Sequence, residues 1–189
     1  MKRSFIILLS ALLMLLPSCA VHVPDEKLPE PSKTKEEIKL EYLRDLIENS
    51  TPEAVLDLSD TRSNLSVDFA NVVAAEYGKL PKELQAQDYE NNDYHPAIYD
   101  EKDIFPDSKG KYIYVMHYMH SSHPDCFDSL SEAMFEDGVL TICIGTTPTN
   151  ACLGYKSLLL IVKIKKESFG GQSIDRILIS HNVQETQQG

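Results

Sequence analysis

At 189 residues, 42% of them hydrophobic and none of them tryptophan, the chain suffices for one ordinary domain with a real core once any targeting segment is set aside. Its 18 basic residues against 29 acidic ones give a net charge of −11. That balance argues against binding to phosphate backbones through clustered Lys and Arg, so no nucleic-acid partner is expected, and against a polybasic attraction to anionic membranes.

The first twenty residues, MKRSFIILLSALLMLLPSCA, divide into three parts. Lys2 and Arg3 form a positive start, and residues 5–16 form an apolar run too short to span a bilayer as a permanent helix. Pro17, Ser18 and Cys19 close it, in the layout of a secretory signal. Leu16-Pro17-Ser18-Cys19 resembles the lipobox of bacterial lipoproteins, with Leu at minus three and a small residue before the cysteine. The resemblance implies that residues 1–18 are a lipoprotein signal peptide. It also implies that Cys19 carries a thioether-linked diacylglycerol and usually an amide-linked acyl chain, palmitate-like in chemistry. Two or three chains anchor a protein stably, since each buried methylene contributes about 0.8 kcal/mol. Ala20 stands where an Asp would signal retention in the inner membrane, so the same analogy favours the outer membrane.

Residues 19–35 carry three prolines and alternating charges and read as a solvated tether. The domain is expected over residues 36–189. Its first helix places Ile38, Tyr42, Leu43, Leu46 and Ile47 at helical spacing, with Thr34 and Glu37 as a capping box. Thr51 and Pro52 suggest the start of a second helix. A third fits SVDFANVVAAEYG, where Phe69, Val72, Val73 and Tyr77 line one side and Gly78 ends it. Residues 88–109 look irregular and acid-rich, yet lack the ligand spacing and central glycine of a known calcium loop.

The second half is rich in β-branched and aromatic residues. KYIYVMHYM, GVLTICIG, YKSLLLIVKIKK and SIDRILISHNV read as strands, with a short helix, DSLSEAMFEDG, between the first two. Residues 158–162 are apolar on both faces, which predicts a central strand covered on both sides. Helices first and strands afterwards predict an α+β domain, with N-terminal helices packed on a mainly antiparallel sheet of about four strands.

His117, His120, His123 and Cys126 follow one another at intervals of three, and together they are the candidate metal ligands. Side chains alternate along a strand, so His117 and His120 point to opposite faces if the strand runs past Met119. His117 then shares the face of Ile113, Val115 and Met119, while Ser121, Ser122 and Pro124 place His123 in a loop. Convergence requires the strand to end by Met119. Cys126 is also a candidate nucleophile, though adjacency to histidines in sequence is little support for that.

Beside Cys19, three thiols remain, in an oxidising envelope: Cys126, Cys143 and Cys152. Cys143 shares a strand face with Val139 and Thr141, away from Leu140, Ile142 and Ile144, which favours a Cys143–Cys152 disulfide over Cys126–Cys152. No phosphate-cradling loop, GxSxG or HExxH motif occurs, so no cofactor and no catalytic residue is assigned. The expectation is a lipid-anchored envelope protein with a binding or scaffolding domain, its partners being the membrane and other envelope proteins or cell-wall components. The alternative is a metal-binding or metal-dependent envelope protein.

Overall fold

A computed structural model describes residues 33–121, 126–147 and 154–183. The signal segment, Cys19, the tether as far as residue 32, His123 and Cys152 lie outside the described residues. Lys33–Gly189 is one compact unit.

The first helix, α1 (Lys35–Asn49), starts where its cap residues put it. The Glu37 amide donates to the Thr34 hydroxyl at 3.2 Å, and the Thr34 amide donates to the Glu37 carboxylate at 2.6 Å. Its buried residues are Leu43 and Leu46.

The chain then departs from the expected order. Thr51 and Pro52 begin no helix; they lead into β1 (Ala54–Val55) and β2 (Arg62–Ser63). The expected third helix is β3 (Val67–Ala74). Val72 and Val73 are both buried because they belong to the cores on opposite faces of one sheet, not because they share a helical face. A register shift opposite Lys163 and Ile164 also separates Val67 from Ala70 by three positions on the same side, which imitates helical spacing.

Residues 88–109 are built of short regular pieces after α2 (Lys82–Gln85). They comprise the hairpin of β4 (Gln87–Asp88) and β5 (Asp93–Tyr94), then β6 (Ala97–Asp100) and α3 (Glu101–Ile104). Next come β7 (Tyr112–Ser121), β8 (Phe127–Glu136), β9 (Val139–Thr146), β10 (Lys156–Lys165) and β11 (Arg176–Val183). Strand β8 replaces the short helix expected there.

The expected α+β arrangement is therefore wrong. Eleven strands and three α-helices occur among the described residues, and the fold is mainly β. Five strands form an antiparallel sheet in the order β1-β3-β10-β7-β6, and four form a second in the order β11-β9-β8-β2. The second is mixed, because β11 runs parallel to β9 and β2 parallel to β8. Leu158, Leu160, Val162, Ile113 and Val115 of the first sheet pack against Leu130, Leu140, Ile142 and Ile144 of the second. The opposite face of the first sheet, with Leu159, Ile161, Tyr114 and Met116, is covered by Leu43 and Leu46 of α1 together with Leu80, Leu84 and Ile104. Strand β10 is central and covered on both sides, as its sequence predicts. A sandwich with one helical cover results, and hydrophobic burial on both sides of β10 is its main stabilising term.

Candidate functional site

Strand β6 decides where the molecule opens. It pairs with β7 only from Ile113 to Met116, so His117 and the residues after it have no β6 neighbour. The β4–β5 hairpin stands beside this free edge, with Tyr94 packed edge-on to Tyr118 at 4.8 Å between ring centroids. A cleft of about 410 Å³ results at that end of the sandwich. Its walls come from the hairpin (Asn92, Asp93, Tyr94), the end of β7 (His117 to Ser121), Phe127, Thr146, Tyr155 and His181.

Alternation along β7 sorts its two histidines. His117 points toward the second sheet with Ile113, Val115 and Met119. It is only 9% exposed, and its Nδ1 has no hydrogen-bond partner among the described residues. Burial lowers its pKa from 6.5 to about 4; His181 lowers it further and Asp93 opposes the shift. His117 is therefore a neutral imidazole at neutral pH. His120 belongs to the other face. Its Nε2 lies 3.2 Å from the Tyr94 hydroxyl and its Nδ1 3.3 Å from the Ser157 hydroxyl. With both ring nitrogens engaged, and with Tyr94, Tyr118 and Tyr155 around it, His120 is part of an aromatic cluster.

Of the four candidate metal ligands, His117, His120 and Cys126 all line this cleft, but they are not arranged as one metal site. Strand β7 continues to Ser121, so His117 and His120 diverge. Cys126 is partly buried against the core between the sheets, and His123 lies outside the described residues. Among the described residues, no group of three or more His, Cys, Asp or Glu side chains is placed to hold a metal ion. Cys143 is partly exposed, and the expected disulfide depends on Cys152, outside the described residues. No disulfide occurs among the described residues.

The sequence reading missed His181, Tyr94, Asp93, Thr146 and Tyr155. One signal was available for His181. On β11 it shares alternation with Ile177 and Ile179, which pack on the core between the sheets, so it ends an inward-facing row as His117 does on β7. The two histidines come from opposite sheets and meet at one end of the sandwich. Burial also lowers the pKa of His181, although part of its surface stays exposed, and Asp93 opposes that shift. Burial raises the Tyr94 phenol above its ordinary value, so it remains a proton donor. The Asp93 side chain makes no hydrogen bond or ion pair among the described residues, and it is the one carboxylate among the described residues of the cleft wall.

Compared with protein-family models, curated proteins and solved structures, the chain gives no match.

Proposed function

We propose that this chain is a lipid-anchored protein of the bacterial cell envelope, held at the outer membrane through Cys19, whose β-sandwich domain binds an envelope component in the cleft at the β7 end. The lipobox resemblance supports the anchor. One observation carries the binding role: the cleft wall holds a buried imidazole nitrogen, His117 Nδ1, without a partner among the described residues. An unsatisfied buried polar atom costs about 1–3 kcal/mol. Such an atom calls for a partner that relieves the cost, and at the cleft wall a bound ligand can reach it.

The test is tyrosine footprinting in intact envelopes and after purification in detergent. Tyr155 is 79% exposed at the cleft and reports on occupancy. Tyr112, at the opposite end of β7, is the internal reference. Protection of Tyr155 in envelopes that disappears on purification, with Tyr112 unchanged, is the expected result. Equal labelling of Tyr155 in both preparations would remove the binding reading.

A further inference from the structure

The composition of the cleft wall narrows the class of ligand. Among the described residues, no Lys or Arg lines it. A phosphate, carboxylate or nucleic acid would therefore enter without a counter-charge and beside the Asp93 carboxylate, an arrangement that costs far more than it returns. His117 supplies no positive charge either, since burial keeps its ring neutral. Besides the imidazoles of His120 and His181, Ser121 and Cys126, the described wall offers the imidazole of His117, the amide of Asn92 and the hydroxyls of Tyr94 and Thr146, with the Asp93 carboxylate as acceptor.

Around these groups lie aromatic rings. Tyr155 tilts over His120 with 5.9 Å between ring centroids, and most of its surface is exposed. Tyr94 and Tyr118 pack edge to face against each other, and Tyr77 packs on both, at 5.9 and 5.5 Å between centroids. These rings do not form an open cage of three faces, which is what a quaternary ammonium group requires. Such a cation has no donor or acceptor and would leave His117 Nδ1 unsatisfied. A ligand is needed that has an apolar face for a phenol ring and carries both donors and acceptors around its rim.

We propose that the cleft takes a neutral pyranose sugar, its apolar face on Tyr155 and its hydroxyls on Asp93, Asn92 and His117. The proposal rests on the reading of this cleft as a binding site and adds the chemical class of its occupant. A volume of about 410 Å³ falls in the range for small-ligand sites and leaves room for one or two sugar rings. A carboxylate accepting hydrogen bonds from two hydroxyls while a phenol ring covers the apolar face satisfies such a ring without any cation.

The test uses the full lipidated chain in a polyoxyethylene detergent that carries no sugar headgroup. The chain has nine tyrosines and no tryptophan, so its emission is tyrosine emission, and Tyr94, Tyr118 and Tyr155 line the cleft. Glucose, galactose, mannose and N-acetylglucosamine are titrated, with choline and inorganic phosphate as the competing classes. A saturable change with at least one of the sugars is expected. Asp93→Asn and Tyr155→Ala should each weaken it by about tenfold or more. Both residues are exposed, so neither variant threatens folding, and unchanged melting temperatures verify this. The proposal is overturned if no sugar gives a saturable change up to about 10 mM, ten times the Kd of a −4 kcal/mol site. It is equally overturned if choline or phosphate binds in place of the sugars, or if both variants bind sugar as the wild type does. Persistence of Tyr155 protection in envelopes, without sugar binding, would retain the cleft as a binding site and discard the sugar.

Discussion

His117 shows how a single position serves both packing and recognition. On β7 it occupies an inward position between Val115 and Met119, so the sheet buries it whether or not its chemistry is used. Its folded pKa of about 4 lies below the ordinary 6.5, chiefly because burial disfavours the charged ring; His181 and Asp93 are the titratable groups that act on it. As pH falls below 6.5 the unfolded chain takes up a proton that the folded chain refuses, so stability is present above that value and declines toward pH 4. The full loss attributable to this one group is on the order of 3 kcal/mol. Wild type and His117→Gln, unfolded in urea at a series of pH values from 7 to 5, should therefore differ in slope, with the wild type losing stability more steeply. Parallel pH curves would show that the imidazole is not held neutral by its surroundings.

Among the elements, β10 makes the clearest demand on the fold. Leu159 and Leu160 are neighbours in sequence, both 0% exposed, and belong to the cores on opposite sides of the sheet. Replacing either by Ala should cost about 2–5 kcal/mol, measured by urea denaturation. If one of the two changed stability by less than about 0.5 kcal/mol, a covering layer would be absent on that side. The strands β7, β9, β10 and β11 were legible because each keeps a regular period or a continuous apolar run between turn signals. Strand β8 was not, and its hydrogen-bond register explains why. Irregularities fall between Phe127 and Ser129 and between Leu130 and Glu132, so the first three buried positions are Phe127, Leu130 and Ala133, and the period of two returns only at Phe135. Two bulges thus convert a strand period of two into an apparent spacing of three, which reads as a helix. The turn gave a contrary signal. Asp137 and Gly138 both have positive φ, at 49° and 79°, and Asp-Gly is a preferred pair for a two-residue hairpin. At Gly138 a Cβ would meet the Asp175 carboxylate at 2.5 Å. Gly138→Ala should therefore destabilise by about 1 kcal/mol or more, read as a lower urea midpoint. A midpoint equal to wild type would mean that the hairpin adopts another turn. Half of the cleft was hidden for a related reason: Asp93, Tyr94 and Tyr155 sit on short hairpin and loop positions with no period, and only the three-dimensional path of β6 brings them beside His117.

For the whole molecule, charge and lipid divide the work of localisation. The net charge of −11 gives the chain no electrostatic attraction to an anionic membrane. Among the described residues no helix is long and apolar enough to cross one. On the proposed reading, membrane attachment therefore rests on the acyl chains at Cys19, and removing that thiol removes the attachment altogether. Lipid insertion is hydrophobic and insensitive to salt, whereas attachment through surface charge weakens as ionic strength shortens the screening length to about 3 Å at 1 M. Wild type should label with an alkynyl fatty acid, partition into detergent and stay with membranes through a wash at high salt. Cys19→Ala should neither label nor partition, and it should appear in the soluble fraction at low and high salt alike. The first helix carries its own cap at Thr34, so the variant should melt at the wild-type temperature. A Cys19→Ala protein that still labels would place the acyl group on another residue and end the lipobox reading. One that does not label yet remains with membranes at high salt would show a second, apolar attachment that the acidic surface of the domain gives no reason to expect.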